Sequence, residues 1–294
     1  MTKLRFVYKF AKYMSFKSGF VTIIGNPNVG KSSLFNALLN FDLSIVTHKS
    51  QTTRDSIKGI FTTDNFQLVL SDTPGHVESS YLLHDKMNKN IYSSLEGSDI
   101  IIYVTDVKEK TVNQKLIDAV INLQIPIIFL VNKSDLDKNY KLLKNDFYRD
   151  MFLISSKNKS DIDKILTRIV ENLPEHPAFY SKEELTDKNE RFIVSEIVRG
   201  EIFKNFSQEV PYSSHVEITT FKNEEKILRI EGYIYVESES QKSIILGKKG
   251  KKIRDISKKS RVLIEKMYDK QVYINFTVKV RKWRNDKKFV SDHF

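Results

Sequence analysis

The sequence predicts a doubly wound α/β domain followed by a smaller α+β domain, and three observations carry that reading. First, short, nearly continuous apolar runs at residues 21–24, 66–70, 100–104, 127–131 and 152–154 alternate with helix-length stretches. Such runs, each ending in a polar cluster, suit parallel strands buried on both faces, with ligands bound at their C-terminal ends. Second, Pro174-Glu-His-Pro177 breaks the alternation, because two prolines three apart cannot continue a helix. Third, charge is unevenly placed. The 294 residues carry a formal net charge of +11, and 17 Lys and Arg against 5 Asp and Glu fall within residues 241–294. The whole excess therefore lies in the last fifth of the chain, which predicts a polyanion-binding C-terminal region. Nucleic acid is the first candidate and an anionic membrane surface the second.

Composition narrows the compartment. With no cysteine, disulfides and thiolate metal sites are excluded, and a reducing, cytoplasmic setting is expected. No apolar run approaches the roughly 18 residues needed to cross a bilayer. Residues 1–19 form a basic extension, with Lys3, Arg5, Lys9, Lys12 and Lys17 and no acid. It lacks the apolar core of a secretory signal. Two readings stay open: an amphipathic organelle-targeting segment, or an extended start upstream of Met14. The α/β domain then spans 20–173, a linker 174–189, and the second domain 190–294.

The first apolar run leads into Gly25-Asn26-Pro27-Asn28-Val29-Gly30-Lys31-Ser32-Ser33, and a helix-like stretch follows. Strand, glycine-rich turn and helix is the context that a phosphate-binding loop requires. Gly25 and Gly30 let backbone N–H groups close around a pyrophosphate at a helix N-terminus. Lys31 is placed to reach the β- and γ-phosphates, and the Ser32 hydroxyl to ligate Mg²⁺. Asp72-Thr73-Pro74-Gly75 follows the run at 66–70. There Asp72 can hold Mg²⁺ through a water, and the Gly75 N–H can bond a γ-phosphate. Asn132-Lys133-Ser134-Asp135 follows the run at 127–131, and Asp135 can accept two N–H bonds from the guanine edge. Ser155-Ser156-Lys157, after the last run, is placed on the other side of the base. Each tetrapeptide is weak alone, but in this order behind a phosphate loop they indicate GTP and GDP.

In the second domain, Val194, Val198, Ile202 and Phe206 recur every four residues, giving an amphipathic helix from 190 to 206. Stretches 215–221 and 227–236 read as strands, 251–267 as a basic helix, and 272–280 as a last strand. Gly247-Lys248-Lys249-Gly250 precedes the basic helix, with Lys251, Lys252 and Arg254 just beyond. Ile253, Ile256, Leu263 and Met267 are expected on that helix's packed face. Helix, strand, strand, helix, Gly-x-x-Gly, helix, strand resembles a type II KH domain, whose loop clamps the backbone of about four nucleotides. The plainer alternative is a helix–turn–helix corner with solvated lysines. Trp283, the single tryptophan, could stack on a base or cover the edge of the core.

Residues 20–173 resemble a Ras-like, translation-factor-related P-loop GTPase domain. Gln51-Thr52-Thr53-Arg54-Asp55 with Ile57-Lys-Gly-Ile60 is similar to the first switch of the Era and EngA branch. That resemblance implies that Thr53 ligates Mg²⁺ in the GTP state, with Thr52 as the adjacent alternative. It also implies K⁺ activation through Asn28, whose other reading is a loop-stabilising side chain. His76 stands where Ras-like switches carry a water-orienting glutamine and Era-type proteins a hydrophobic residue. It either orients water or points outward. The resemblance thus makes Lys31, Thr53, Gly75 and His76 the catalytic set, with turnover on the order of 10⁻⁴ to 10⁻² per second absent a supplied arginine.

With the KH-like part, and with Asp187-Lys-Asn-Glu-Arg-Phe192 and Val210-Pro-Tyr-Ser213 as landmarks, the chain resembles the Era GTPase family from Phe20 onward. The family implies binding near the 3′ end of 16S ribosomal RNA and a role in 30S subunit maturation. A monomer is expected, and the basic surface adds peripheral contact with the inner face of the cell membrane as a further expectation. Two rivals remain: a GTPase of tRNA modification, which would bring an extra helical domain, and an RNA-binding module that holds GTP structurally.

Overall fold

The computed structural model describes residues 16–49, 51–76, 80–109, 113–137 and 151–294, so most of the basic N-terminal extension lies outside the described residues. The chain divides into two compact units that do not follow chain order. One ends its first stretch at Asp42 and adds Ser56–His76 and Asn90–Asp187. The other holds Leu43–Asp55, Val77–Lys89 and Lys188–Phe294.

The first unit is built on a six-stranded sheet of β1 (Lys17–Ile24), β2 (Ile57–Thr62), β3 (Phe66–Asp72), β4 (Ile100–Asp106), β5 (Ile127–Asn132) and β6 (Met151–Leu153). The spatial order is β2-β3-β1-β4-β5-β6. Every neighbouring pair is parallel except β2–β3. Ile23, Ile24, Leu68, Val69, Leu70 and Ile100 to Ile102 have no exposed surface, as strands covered on both faces require. Helices α1 (Lys31–Leu39), α2 (Leu82–Glu96), α3 (Gln114–Ile121) and α4 (Lys159–Asn172) accompany them. The second half of α2 (Ile91, Leu95) and α3 (Leu116, Ile117, Val120) share one apolar cluster with Ile24, Ile101 and Tyr103, while α1 and α4 contact each other.

Three features differ from the sequence reading. Strand β2 is antiparallel to β3 and joined to it by a tight connection in which the Thr63 N–H donates to Phe66 O at 2.8 Å. Its half-exposed positions gave no continuous apolar run to detect. Residues Lys17 to Gly19, read as extension, already pair with Phe66 to Leu68 in the sheet. The segment read as a linker is bonded to the first unit as far as Asp187. Ser18 Oγ donates to Pro177 O at 2.6 Å, Gln67 exchanges hydrogen bonds with Phe179 and Tyr180, and the Lys58 N–H donates to Asp187 at 3.0 Å.

The second unit contains α5 (Glu190–Asn205), α6 (Val210–Ser213), β7 (His215–Asn223), β8 (Ile227–Val236), α7 (Glu239–Leu246), α8 (Lys251–Tyr268), β9 (Gln271–Val280) and α9 (Lys287–His293). The sheet order is β7-β8-β9, with β7–β8 antiparallel and β8–β9 parallel through the α7–α8 crossover. Val194, Val198 and Ile202 are fully buried and Phe206 is 5% exposed, so the four-residue spacing does define the packed face of α5. In α8 the face is set differently. Ile256, Ser260 and Ile264 point inward, whereas Leu263 is 41% exposed. Trp283 is fully buried and its Nε1 donates to Ser213 O at 2.9 Å, which selects the core-edge reading over base stacking.

Candidate nucleotide and nucleic-acid sites

Both candidate sites are helix N-termini that the sequence leaves open. Helices α3, α4, α5, α7 and α9 start at Asn113, Asn158, Asn189, Ser238 and Asp286, each accepting a backbone N–H of the first turn. Helices α1 and α8 instead start at Gly30 and Gly250, without a side-chain cap and without an acid in the first turn. No cap side chain therefore occupies these N-termini, where the helix dipole favours an external anion.

In the phosphate loop the glycines are steric necessities. Gly25 has φ +145°, and a Cβ there would meet Val104 O at 2.1 Å. Gly30 has φ +99°, and a Cβ there would meet Asn132 Nδ2 at 2.3 Å. Pro27 is approached by Gly75, where a Cβ would come within 2.7 Å of Pro27 Cα. Lys31 is folded onto the loop, its Nζ donating to Gly25 O at 3.0 Å and Asn26 O at 2.9 Å. Burial pushes its pKa down to about 8, against the pull of Asp72 and Glu109. Arriving phosphates would reverse that shift by supplying the missing anion. Ser32 Oγ donates to Asp72 Oδ2 at 2.7 Å, and Thr73 Oγ1 donates to Ile23 O at 2.7 Å, pinning the start of the second loop. One hydroxyl and one carboxylate at this spot are the hard oxygen set that Mg²⁺ takes when phosphates and waters complete its shell. The donors present therefore fit Mg²⁺.

The base-recognition residues converge on β5 and β6. Asn132 is fully buried, its Nδ2 donating to Val29 O at 3.0 Å and its Oδ1 accepting from Ser156 N at 3.0 Å. It braces the phosphate loop against the Ser155–Lys157 loop. Lys133 Nζ donates to Asn28 O and pairs with Asp106 at 2.6 Å. Asp135 is exposed and accepts from Lys157 Nζ at 2.9 Å and Ser155 Oγ at 2.8 Å, which hold its carboxyl below the usual range. An ionised carboxylate is acceptor-only, with lone pairs left for two guanine N–H groups. Ser33 and Ser134 are half-buried beside these groups, and so is His76 at the end of the Asp72 loop. Thr53 is 7% exposed and belongs to the second unit.

Two residues of this site were not anticipated. Glu109 accepts from Asn26 Nδ2 at 2.8 Å and Thr105 Oγ1 at 2.6 Å. Asp106 positions Lys133. Both lie at or just past the end of β4, where a ligand-facing acid could have been sought.

At the second site Gly247, Lys249 and Gly250 adopt φ of +66°, +52° and +71°, so the loop turns sharply. A Cβ on Gly247 would meet Lys252 Cγ at 2.7 Å, whereas at Gly250 nothing comes closer than 3.9 Å. Lys248, Lys249, Lys251 and Lys252 are exposed. Arg254 folds back, donating to Lys249 O at 2.7 Å and Gly250 O at 3.3 Å, so it braces the loop from below.

The comparisons with known proteins agree with this geometry. A family model described as a 50S ribosome-binding GTPase matches residues 20–133, and a KH-domain model matches residues 209–284. The GTPase Era of Thermoanaerobacter pseudethanolicus is 36% identical over 285 residues, covering 93% of this chain and 94% of that protein. The chain belongs to the Era family of GTPases. The GTPase Era of Clostridium acetobutylicum is 38% identical, covering 94% of this chain and 96% of that protein. A crystal structure of Era in complex with MgGDPNP and nucleotides 1506–1542 of 16S ribosomal RNA aligns with TM-score 0.88 at 32% identity, covering 94% of this chain and 98% of that one. A variant of Aquifex aeolicus Era bound to GDP and AlF4⁻ aligns with TM-score 0.87 at 31% identity, with the same coverage. This Era-family chain is accordingly a GTPase with a P-loop domain followed by a KH domain.

Proposed function

We propose that this GTPase is a slow GTP/GDP switch that grips the 3′ end of 16S ribosomal RNA and assists 30S subunit maturation. The observation that carries the reading is the pair of uncapped, glycine-started helices α1 and α8, one behind each phosphate-ready loop. The likeness to an Era structure that holds both MgGDPNP and 16S nucleotides supports the choice of ligands.

In this reading residues 25–33 cradle the phosphates, Lys31 neutralises the β- and γ-phosphates, and Asp135 selects guanine over adenine. Ser32, Thr53 and, through a water, Asp72 would hold Mg²⁺, which supplies charge neutralisation on the phosphates. Hydrolysis transfers the γ-phosphoryl group to water, leaving GDP and phosphate. The Gly75 N–H holds the γ-phosphate and His76 orients the attacking water. Asn28, exposed at the loop rim in a left-handed conformation, is the residue through which K⁺ would act. Lys248, Lys249, Lys251 and Lys252 meet the RNA backbone while Arg254 shapes the loop. The protein acts as a cytoplasmic monomer, and its basic surface allows peripheral contact with anionic membrane.

The test is pull-down of total cellular RNA by the full chain loaded with GDPNP or GDP, followed by sequencing. Enrichment of the 16S 3′ end, stronger with GDPNP, is the expected result. Unselective recovery, equal in both states, would remove the RNA-switch reading and leave only the GTPase. Hydrolysis in K⁺ against Na⁺ tests Asn28, and competition by anionic vesicles for bound RNA tests the membrane contact.

A further inference from the structure

The segment that carries Thr53 packs within the second compact unit, and cations grip it through main-chain carbonyls. Lys49 Nζ donates to the carbonyls of Phe203 and Phe206 at the C-terminus of α5. Arg199 donates to the carbonyl of Thr52. Arg54 does the most. Its Nη1 donates to Ser214 O at 2.7 Å, and its Nη2 donates to Tyr212 O at 2.8 Å and Pro211 O at 3.3 Å, all around the C-terminus of α6. Its Cζ lies 5.1 Å over the Trp283 ring. Two of these carbonyls, Pro211 and Tyr212, belong to the Val210-Pro-Tyr-Ser213 landmark and the third, Ser214, follows it directly; the nucleotide and RNA sites provide no use for them.

A guanidinium is an expensive choice for that position if packing is its only task. Arg54 is 5% exposed, and the acceptors of its hydrogen bonds are all main-chain carbonyls. Burial and the neighbouring Arg199 guanidinium hold its pKa well below the usual arginine value. Buried ionic groups are often replaced by apolar side chains at no loss of stability. What the guanidinium supplies is a fork that matches one arrangement of three carbonyls and no other. Arg54 also lines a cavity of about 250 Å³ together with Gln51, Tyr81, Tyr212 and Arg284.

The same hub receives the segment that follows His76. Arg284 Cζ lies 4.3 Å over Tyr81, the Leu83 N–H donates to Arg284 O at 3.3 Å, and Leu83 and Met87 pack with Trp283. The partners of Arg54 lead straight into the KH sheet, since Ser214 directly precedes β7 and Trp283 lies three residues beyond β9.

We propose that Arg54 is the positioning residue through which the KH domain reads the nucleotide state, tying the Thr53 segment to α6 and Trp283 and hence to β7 and β9. Thr53 and Arg54 are adjacent, so a shift of the loop that brings Thr53 to the metal alters how the fork sits on its carbonyls. The inference rests on the nucleotide-dependent RNA binding proposed above.

The test measures the affinity of the full chain for a 16S 3′-end RNA fragment by fluorescence anisotropy, with GDPNP and with GDP. Wild type is expected to prefer the GDPNP state by a factor within the usual allosteric range of about 5 to 150. Arg54→Gln keeps a polar side chain without the charged fork, and is expected to bring that ratio within about twofold of one while both nucleotides still bind. Arg54→Lys is expected to fall between. Should Arg54→Gln not fold, Trp283→Phe removes the indole N–H and weakens the cation–π contact, and a ratio lowered at least about threefold is expected. Folded variants that keep the wild-type ratio overturn the inference alone. A wild-type ratio of one overturns it together with the proposed switch.

Discussion

Asn132 is the best residue on which to test the nucleotide-site geometry, because its side chain serves the loops on either side of it. Asn132→Ala deletes the donor to Val29 O and the acceptor of the Ser156 N–H, two hydrogen bonds of 3.0 Å each. Val29 is 1% exposed, so its carbonyl loses a partner that water cannot replace, at a cost of about 1–3 kcal/mol. Ser156 is half-buried and water can reach its N–H, so the second loss is nearer ~1 kcal/mol. The sum is about 2–4 kcal/mol, which for a unit of this size lowers Tm by about 5–15 °C. Calorimetry of the full chain should show that loss in the transition of the nucleotide-binding unit. Titration with a fluorescent GDP analogue should show at least about tenfold weaker binding, because the phosphate loop and the base loop lose their common brace. A Tm within about 2 °C of wild type with unchanged GDP affinity would show that Asn132 does not brace the two loops.

Other outcomes follow from the same structure. Gly30→Ala, whose Cβ would sit 2.3 Å from Asn132 Nδ2 at φ +99°, should abolish measurable GDP binding; Gly97→Ala, with nothing within 4 Å, should leave stability and binding unchanged, both by titration. Burial holds Lys31 near pKa 8 in the folded chain against 10.5 unfolded, so between those values the unfolded chain binds the extra proton and stability rises with pH. The rise is on the order of 3 kcal/mol, and urea midpoints of wild type and Lys31→Met at pH 7.5 and 10 should differ accordingly. Replacing Lys248 and Lys249 by Ala should weaken RNA binding and reduce the salt slope by about 0.7 per lost phosphate contact, with GTP hydrolysis unaffected. Asp135→Asn should cost GTP affinity and relax discrimination against other purine nucleotides, measured by competition.

Much of this was legible because the motifs sit where strands end and helices begin. The run 66–70 extends to Asp72 as β3, and Asn132 is the last residue of β5, so the polar tetrapeptides had to lie at the ligand edge. Helices α1 and α8, proposed above to face anions, start at glycine where α3, α4, α5, α7 and α9 start at a capping Asn, Ser or Asp. What escaped was decided by partners distant in sequence. Strand β2 is the edge strand of its sheet, met on its outer side by Leu185 to Asp187 and half-exposed at Lys58, Phe61 and Thr62, so its apolar pattern is diluted. The packed face of α8 departs from the apolar spacing because Leu263 matches that spacing yet is exposed, while the small Ser260 is buried. Between base stacking and cover for the core edge, Trp283 is decided by the carbonyl of Ser213, 70 residues earlier, which accepts its N–H. Likewise, nothing near Arg54 in the sequence announces the three carbonyls around 211–214 that it binds.

In the proposed switch GTP and RNA are linked through one chain, and linkage must act in both directions. The most direct measurement is the affinity of the full protein for GDPNP and for GDP, with and without a saturating 16S 3′-end RNA fragment. RNA is expected to tighten GDPNP binding relative to GDP by the same factor by which GDPNP, relative to GDP, tightens RNA binding. Nucleotide affinities that stay unchanged when RNA binds would contradict it.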